Sequence, residues 1–299
     1  MNRIADTPET ASTPVGFDRA GAERTADGLI AGLLADPSTR VVAVDADRVA
    51  GGADGAPLLF RPDDPGLAEL IDDDTLVGFV GRLHGAPVLV RAVRRPQDAP
   101  WPALRTLTIA DAPLVETLIT AVALGRWFRD AGHCPVCGGT APLTQAGWAR
   151  RCSSCSREHF PRTDPAIIVA VTHGDRLLLG SNAMWEQNRF SCFAGFVEAG
   201  ESLESAVVRE VAEEAGVRVS DASYVGSQAW PYPRSLMLGF RAEAESETAA
   251  RPDGEEILAV RWFTRAEIRA ALAGESEIIL PGSASIAHRL ITEWVAAGA

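Results

Sequence analysis

The stretch Gly195–Val217, GFVEAGESLESAVVREVAEEAGV, constrains this chain more than any other. Its centre predicts a helix over 202–214. Ser202 is placed to accept hydrogen bonds from the first turn, and Gly216 to end the helix in a left-handed conformation. At 100° per residue, Glu210, Glu213 and Glu214 share an arc of roughly 100° on that helix. Three carboxylates so close together repel one another. Either the arc is a solvated acidic face, or it surrounds a divalent cation. Hard cations such as Mg²⁺ take oxygen ligands and keep waters that substrate phosphates can replace.

A chain of 299 residues suits two or three small domains, and a hydrophobic share of 46% is enough for real cores. The net charge of −12 argues against non-specific binding along nucleic acid. It leaves open recognition of a nucleotide or an RNA end. The first fifteen residues are polar and lack the apolar core of a secretion signal. The longest apolar runs, such as Ala166–Val171, are too short to span a bilayer. A soluble, cytoplasmic protein with no membrane partner is expected.

Residues 1–15, rich in Thr, Pro, Ala and Glu, read as a mobile tail. A β-rich domain is expected over 16–110, with a helix over 21–35 and strands over 41–44, 57–61, 76–83 and 88–93 separated by Gly, Asp and Pro. Asp111-Ala112-Pro113 opens a linking helix, 111–130, along which Leu114, Val115, Leu118, Ile119 and Val122 recur at helical spacing.

Two C-x-x-C hooks follow, Cys134–Cys137 and Cys152–Cys155, with residues 138–151 between them. Hooks at this separation can place four thiolates tetrahedrally around Zn²⁺, and four thiolates leave no open position for catalysis. A structural zinc ribbon over 131–161 is the reading; redox dithiols or unrelated buried cysteines are the alternatives. His133 and His159 flank the hooks as spare donors, and Cys192 lies outside the pattern as a small core residue. Arg150, Arg151, Arg157 and Arg162 make the ribbon locally basic, either as charge balance for the thiolates or as a phosphate-facing patch. Beyond it, strands are expected over 166–172, 176–179 and 190–193, and after the acidic helix over 224–229, 236–243 and 257–263. Thr264–Glu267 is a capping box, and a last helix runs over 285–295.

The acidic stretch resembles the Nudix box, G-x5-E-x7-R-E-U-x-E-E-x-G-U with U aliphatic. Gly195, Glu201, Arg209, Glu210, Val211, Glu213, Glu214, Gly216 and Val217 match every defined position. The resemblance implies an α+β protein, with a Nudix α/β/α sandwich over 162–299 behind the ribbon and the β-rich domain. It also implies a pyrophosphatase using Mg²⁺ or Mn²⁺. The ribbon placed before the box, and Ser227-Gln228-Ala229-Trp230-Pro231-Tyr232-Pro233-Arg234-Ser235 after it, narrow the resemblance to the NADH pyrophosphatases, whose pattern there is S-Q-P-W-P-F-P-x-S. Ala229 departs from the usual proline and Tyr232 from phenylalanine.

That family implies hydrolysis of NAD(H) to nicotinamide mononucleotide and AMP, removal of NAD caps from RNA 5′ ends, and a homodimer. It implies that Glu210, Glu213 and Glu214 hold the catalytic ions with the Ala194 carbonyl and Glu256 (Glu255 being the neighbouring candidate). Arg209 orients the glutamates. Phe160 and Phe196 stack on a base, and Gln228 through Ser235 with the Ala287 backbone complete the pocket. A pocket carboxylate of the family falls here on Gly147. Two other functions remain open on the residues alone: a Nudix pyrophosphatase for another dinucleotide such as ADP-ribose or coenzyme A, and a non-catalytic zinc-ribbon regulator.

Overall fold

The computed structural model describes residues 16–96, 100–247 and 250–298; the tail expected over 1–15 lies outside them. The chain divides into two compact units. One holds residues up to Arg162 together with Pro231–Pro233; the other holds Thr163–Trp230 and Arg234–Ala299.

The first unit begins with β1 (Phe17–Asp18), α1 (Leu29–Ala35), β2 (Arg40–Asp45), β3 (Arg48–Val49), α2 (Pro65–Ala68), β4 (Leu76–Leu83) and β5 (Ala86–Ala92). The strands form one sheet in the order β1-β4-β5-β2-β3. Side chains alternate across a strand, and here both faces are covered. Val42 and Val44 of β2 therefore enter one core and Val41 and Ala43 another. That is why β2 reads as a continuous apolar run.

The helix expected as a linker is α3 (Ala112–Asp130). Leu118, Ala121, Val122, Leu124 and Phe128 bury it in the core that Val42 and Val44 share, so it is part of this unit's interior. Two elements differ from the sequence reading. Helix α1 starts only at Leu29, because Gly28 takes a left-handed φ of 70° and Gly21–Glu23 close a separate 3-10 turn. Residues 57–61 make single bridges, Gly51 to Pro57 and Val41 to Phe60, in place of a strand. The ribbon's small sheet is β6 (Leu143–Thr144), β7 (Ala149–Arg151) and β8 (Glu158–His159).

The second unit contains β9 (Asp164–His173), β10 (Arg176–Asn182), β11 (Phe193–Phe196), α4 (Leu203–Ala215), β12 (Val219–Trp230), β13 (Ser235–Ala244), β14 (Ile257–Thr264), α5 (Arg265–Leu272) and α6 (Ile286–Ala296). Its sheet runs β12-β13-β9-β10-β14, with β9 parallel to β13 and the other neighbours antiparallel. Ile167, Val169 and Val171 of β9 pack with Ala206, Val207 and Val211 of α4. Ile168 and Ala170 face the other way, toward Ile268 of α5 and Ile286, Leu290 and Ile291 of α6. Helices on both faces of one sheet make the α/β/α sandwich.

Strand β10 pairs with β9 only near their hairpin, at Arg176–Leu178. Beyond that point β11 takes over the edge of β9, pairing Ala194 with Ile168 and Gly195 with Ile167. The insertion sets Ala194 and Gly195 on the sheet beside α4.

Candidate active site

Helix α4 has the predicted ends. The Ser202 hydroxyl accepts from the Ser205 N–H at 3.1 Å, and Gly216 closes the helix at φ 65°. A serine cap of this kind contributes about 1 kcal/mol. The carboxylates do not form one solvent-facing arc, however. Glu210 and Glu214 are buried against the sheet, while Glu213 is exposed. Glu210 and Glu214 sit four apart, directly above one another on the inner side of the helix, and Glu213 is rotated outward.

Gly195 shows what this packing requires. A Cβ there would lie inside the Glu210 carboxylate. Only a residue with no side chain allows β11 to approach that group so closely.

Arg209 ties the cluster together. Its guanidinium forks onto Glu201, with Nε donating to Oε1 and an Nη to Oε2, both at 2.8 Å. It also donates to Glu210 at 2.9 Å, to Glu213 at 3.1 Å, and to the Phe196 carbonyl at 2.9 Å. The fork from Arg209, with the Glu198 N–H, holds the Glu201 carboxyl down at about 2. Five donors in a rigid plane can serve several acceptors at once, which a lysine ammonium cannot reproduce.

Burial pushes Glu210 upward, opposed by Arg209. Burial pushes Glu214 further, up to about 8, aided by the charges of Glu210, Glu256 and Asp253 and opposed by an Ala194 N–H. Charge from Glu256 is felt at both buried carboxylates. Glu256 is thus a loop carboxylate whose charge reaches the cluster. The charge of Asp253 reaches it too, and sequence reading missed both Asp253 and the role of Glu201. The residues fit a divalent cation on two grounds. Carboxylates forced together and desolvated need positive charge, and Gly195 leaves their space open.

The four thiols form a second, tighter cluster. Their sulfurs all lie within 4.8 Å of one another. The Cys134–Cys155 and Cys137–Cys152 separations are 3.7 and 3.4 Å, against about 3.8 Å in an ideal tetrahedral thiolate zinc site. Backbone N–H groups of Cys155 and Ser154 hold the Cys152 thiol down at about 6. The donor set fits structural Zn²⁺. His159 is no fifth member, but its Nε2 lies 3.2 Å from the Cys134 sulfur. Among the described residues no group of His, Cys, Asp and Glu other than the four cysteines is drawn so tight.

The remaining predicted positions are spread more widely. Phe196 ends β11 with an exposed ring, and Phe160, in the first unit, is exposed as well. Neither ring is a core residue of its unit. Gln228 is occupied at both ends of its amide: it donates to the Ala284 carbonyl at 2.6 Å and accepts from the Ile286 N–H at 2.7 Å. It thus anchors the start of α6, where Ala287 is buried and its N–H is taken by Ser285. Ala229 and Trp230 finish β12, and Pro231–Pro233 belong to the first unit. There burial pushes the Tyr232 hydroxyl up to about 12. Arg234 donates to Asp164 at 2.7 Å beside a buried Ser235. Arg150 is buried and donates to the Ala141 and Phe128 carbonyls, so it is a tie between ribbon and α3 rather than a phosphate contact. Gly147 has a φ of 97°, and a Cβ there would meet the Phe128 ring, which leaves no room for a carboxylate.

Residues 162–281 match the NUDIX domain family, and residues 129–160 match the NADH pyrophosphatase zinc ribbon domain family. "NAD-capped RNA hydrolase NudC" of Mycobacterium bovis is 39% identical over 298 aligned residues, covering 94% of this chain and 93% of that protein. The chain belongs to the zinc-ribbon NADH pyrophosphatase family of Nudix hydrolases. The protein of the same name from Pseudomonas putida is 39% identical over 224 residues, 73% of this chain and 76% of its own length. The Nudix box of this chain is thus β11, the turn after it and α4, with Arg209 as its internal clasp. No described helix is long and apolar enough to cross a membrane.

Proposed function

We propose that this Nudix hydrolase cleaves the pyrophosphate bond of NAD(H), releasing nicotinamide mononucleotide and AMP, and removes NAD caps from RNA 5′ ends. The observation that carries the reading is the buried Glu210–Glu214 pair on the sheet side of α4, packed over Gly195, with Arg209 holding Glu210. Its setting in a chain so similar to the NAD-capped RNA hydrolases supports the substrate.

Glu210, Glu213, Glu214, Glu256 and the Ala194 carbonyl are the residues that would hold Mg²⁺ or Mn²⁺. Such ions, when bound, neutralise charge building on the phosphate oxygens and lower the pKa of a bound water. The protein's own contribution is positional. Arg209 donates to Glu210 and Glu213 and so limits the positions both carboxylates can take. One of these carboxylates would take a proton from the attacking water. By family resemblance, Phe160 and Phe196, whose rings are exposed, are each candidates to stack on a base, and Gln228 to Ser235 and the Ala287 backbone are candidate substrate contacts. By family resemblance the active form is a cytoplasmic homodimer, with one Zn²⁺ per chain held by Cys134, Cys137, Cys152 and Cys155.

The capped substrate is tested with RNA carrying a 5′ NAD and the same RNA carrying a 5′ triphosphate. Release of nicotinamide mononucleotide and a 5′-monophosphate RNA from the first, with the second left intact, is the expected result. Processing of both at equal rates contradicts it.

A further inference from the structure

Glu256 stands apart from the other carboxylates. It lies just before β14 and is exposed, whereas Glu210 and Glu214 are locked in a packed helix. An exposed glutamate on a loop samples several rotamers and loses side-chain entropy when fixed. The loop that carries it is nevertheless strongly constrained. One oxygen of Asp253, Oδ1, accepts three successive backbone N–H groups: Glu255 at 2.8 Å, Glu256 at 3.0 Å and Ile257 at 2.9 Å. The Gly254 N–H closes the same turn onto the Ile257 carbonyl at 3.1 Å. On the other side, the Glu256 carbonyl accepts from the Ala183 N–H at 2.8 Å. Its carboxylate accepts from the Asn182 amide at 3.3 Å. The Asn182 amide cannot be reversed without loss, because its oxygen takes the Met184 N–H at 2.9 Å.

We propose that Asp253 and Asn182 are positioning residues that pre-organise Glu256 for the divalent ion, Asp253 through the backbone and Asn182 through the carboxylate. The inference rests on the reading of Glu256 as a ligand. Three amide dipoles converging on one oxygen fix the backbone of residues 255–257, so Glu256 leaves its loop from one place. Asn182 then selects among its rotamers by donating to one carboxylate oxygen and leaving the other for the ion. Outer partners of this kind change metal affinity because an unpositioned ligand pays its ordering cost on binding. Neither residue touches the ion in this account. Their chemistry differs accordingly: Asp253 acts as an acceptor of N–H groups, which an asparagine oxygen can also be, and Asn182 acts as a donor.

The test is Mn²⁺ binding, with no substrate, to the full zinc-loaded chain stripped of other divalent ions. Free Mn²⁺ is counted by electron paramagnetic resonance, and melting is followed in parallel. Asp253→Ala is expected to raise the Mn²⁺ Kd about ten-fold or more, and Asp253→Asn to stay within about three-fold of the parent. Asn182→Ala is expected to raise it several-fold at an unchanged Tm. An Asp253→Ala chain that melts early but binds Mn²⁺ normally overturns the proposal, since the turn would then be merely structural. Equal weakening by Asp253→Asn and Asp253→Ala also overturns it, because the Asp253 charge itself would be the contributor. If Asp253→Ala does not fold, Asn182→Ala decides, and unchanged Mn²⁺ affinity there overturns the proposal. Glu256→Gln is run alongside. If it binds Mn²⁺ as the parent does, the ligand reading has failed, which is a different failure from loss of the positioning effect.

Discussion

Glu214 carries two opposite demands at the scale of a single residue. Its burial beside Glu210, Glu256 and Asp253 is unfavourable for the ionised form, so its carboxyl rises from an ordinary 4.5 to about 8. The folded protein then holds that proton more tightly than the unfolded chain does. The stability this contributes is present below about pH 4.5 and is lost as pH rises through about 8. With the carboxylate site stripped of metal, the parent should therefore lose Tm relative to Glu214→Gln as pH goes from about 5 to 8. At pH 8 the Gln variant should be the more stable of the two. Its kcat should nevertheless fall by roughly a hundred-fold or more with Mg²⁺ or Mn²⁺ present. A constant Tm difference across the window, or near-normal turnover, contradicts the assignment. Glu213→Gln should be milder in stability at every pH, since that side chain already faces water.

The unit that matters at the scale of elements is β11 against α4. Gly195→Ala places a methyl group where the Glu210 carboxylate lies. Either Glu210 swings out or β11 shifts, and both move Glu210 away from Glu214 and from its bond to Arg209. Turnover is expected to drop by about a hundred-fold, with a stability cost of about 1–3 kcal/mol for the overpacking. Parent-like kinetics of Gly195→Ala would show that the close approach is dispensable. The zinc ribbon makes a separate prediction. Elemental analysis should find one zinc per chain, and Cys152→Ser, which removes a thiolate from the set of four, should lower both zinc content and Tm. Full zinc retention by Cys152→Ser contradicts the four-thiolate site.

Across the whole molecule, local chemistry was readable in the sequence and long-range placement was not. The α4 caps, the two hooks and the capping box at Thr264 depend on neighbours a few residues apart, and spacing alone reveals them. The burial of Glu210 and Glu214 depends on β11 being inserted at the edge of β9, which no periodicity in the box announces. The Arg209–Glu201 fork spans a turn, and its only trace is the fixed spacing of the motif. Asp253 acts through backbone groups, so neither residue type nor spacing singles it out; the preceding Pro252 and following Gly254 mark only a turn. Gln228 was legible as a motif residue, but its two bonds to the start of α6 required the sheet and helix to be placed.

One measurement bears most directly on the central claim, that this carboxylate cluster cleaves the pyrophosphate of NAD(H). NADH, NAD⁺, ADP-ribose and coenzyme A are incubated side by side with the protein and Mg²⁺ or Mn²⁺, and the products are identified by mass. The account predicts that NADH or NAD⁺ gives the highest kcat/KM, with AMP and the corresponding nicotinamide mononucleotide as products in equal amounts. Faster cleavage of ADP-ribose or coenzyme A than of either nicotinamide dinucleotide, or scission at the nicotinamide–ribose bond, would contradict it.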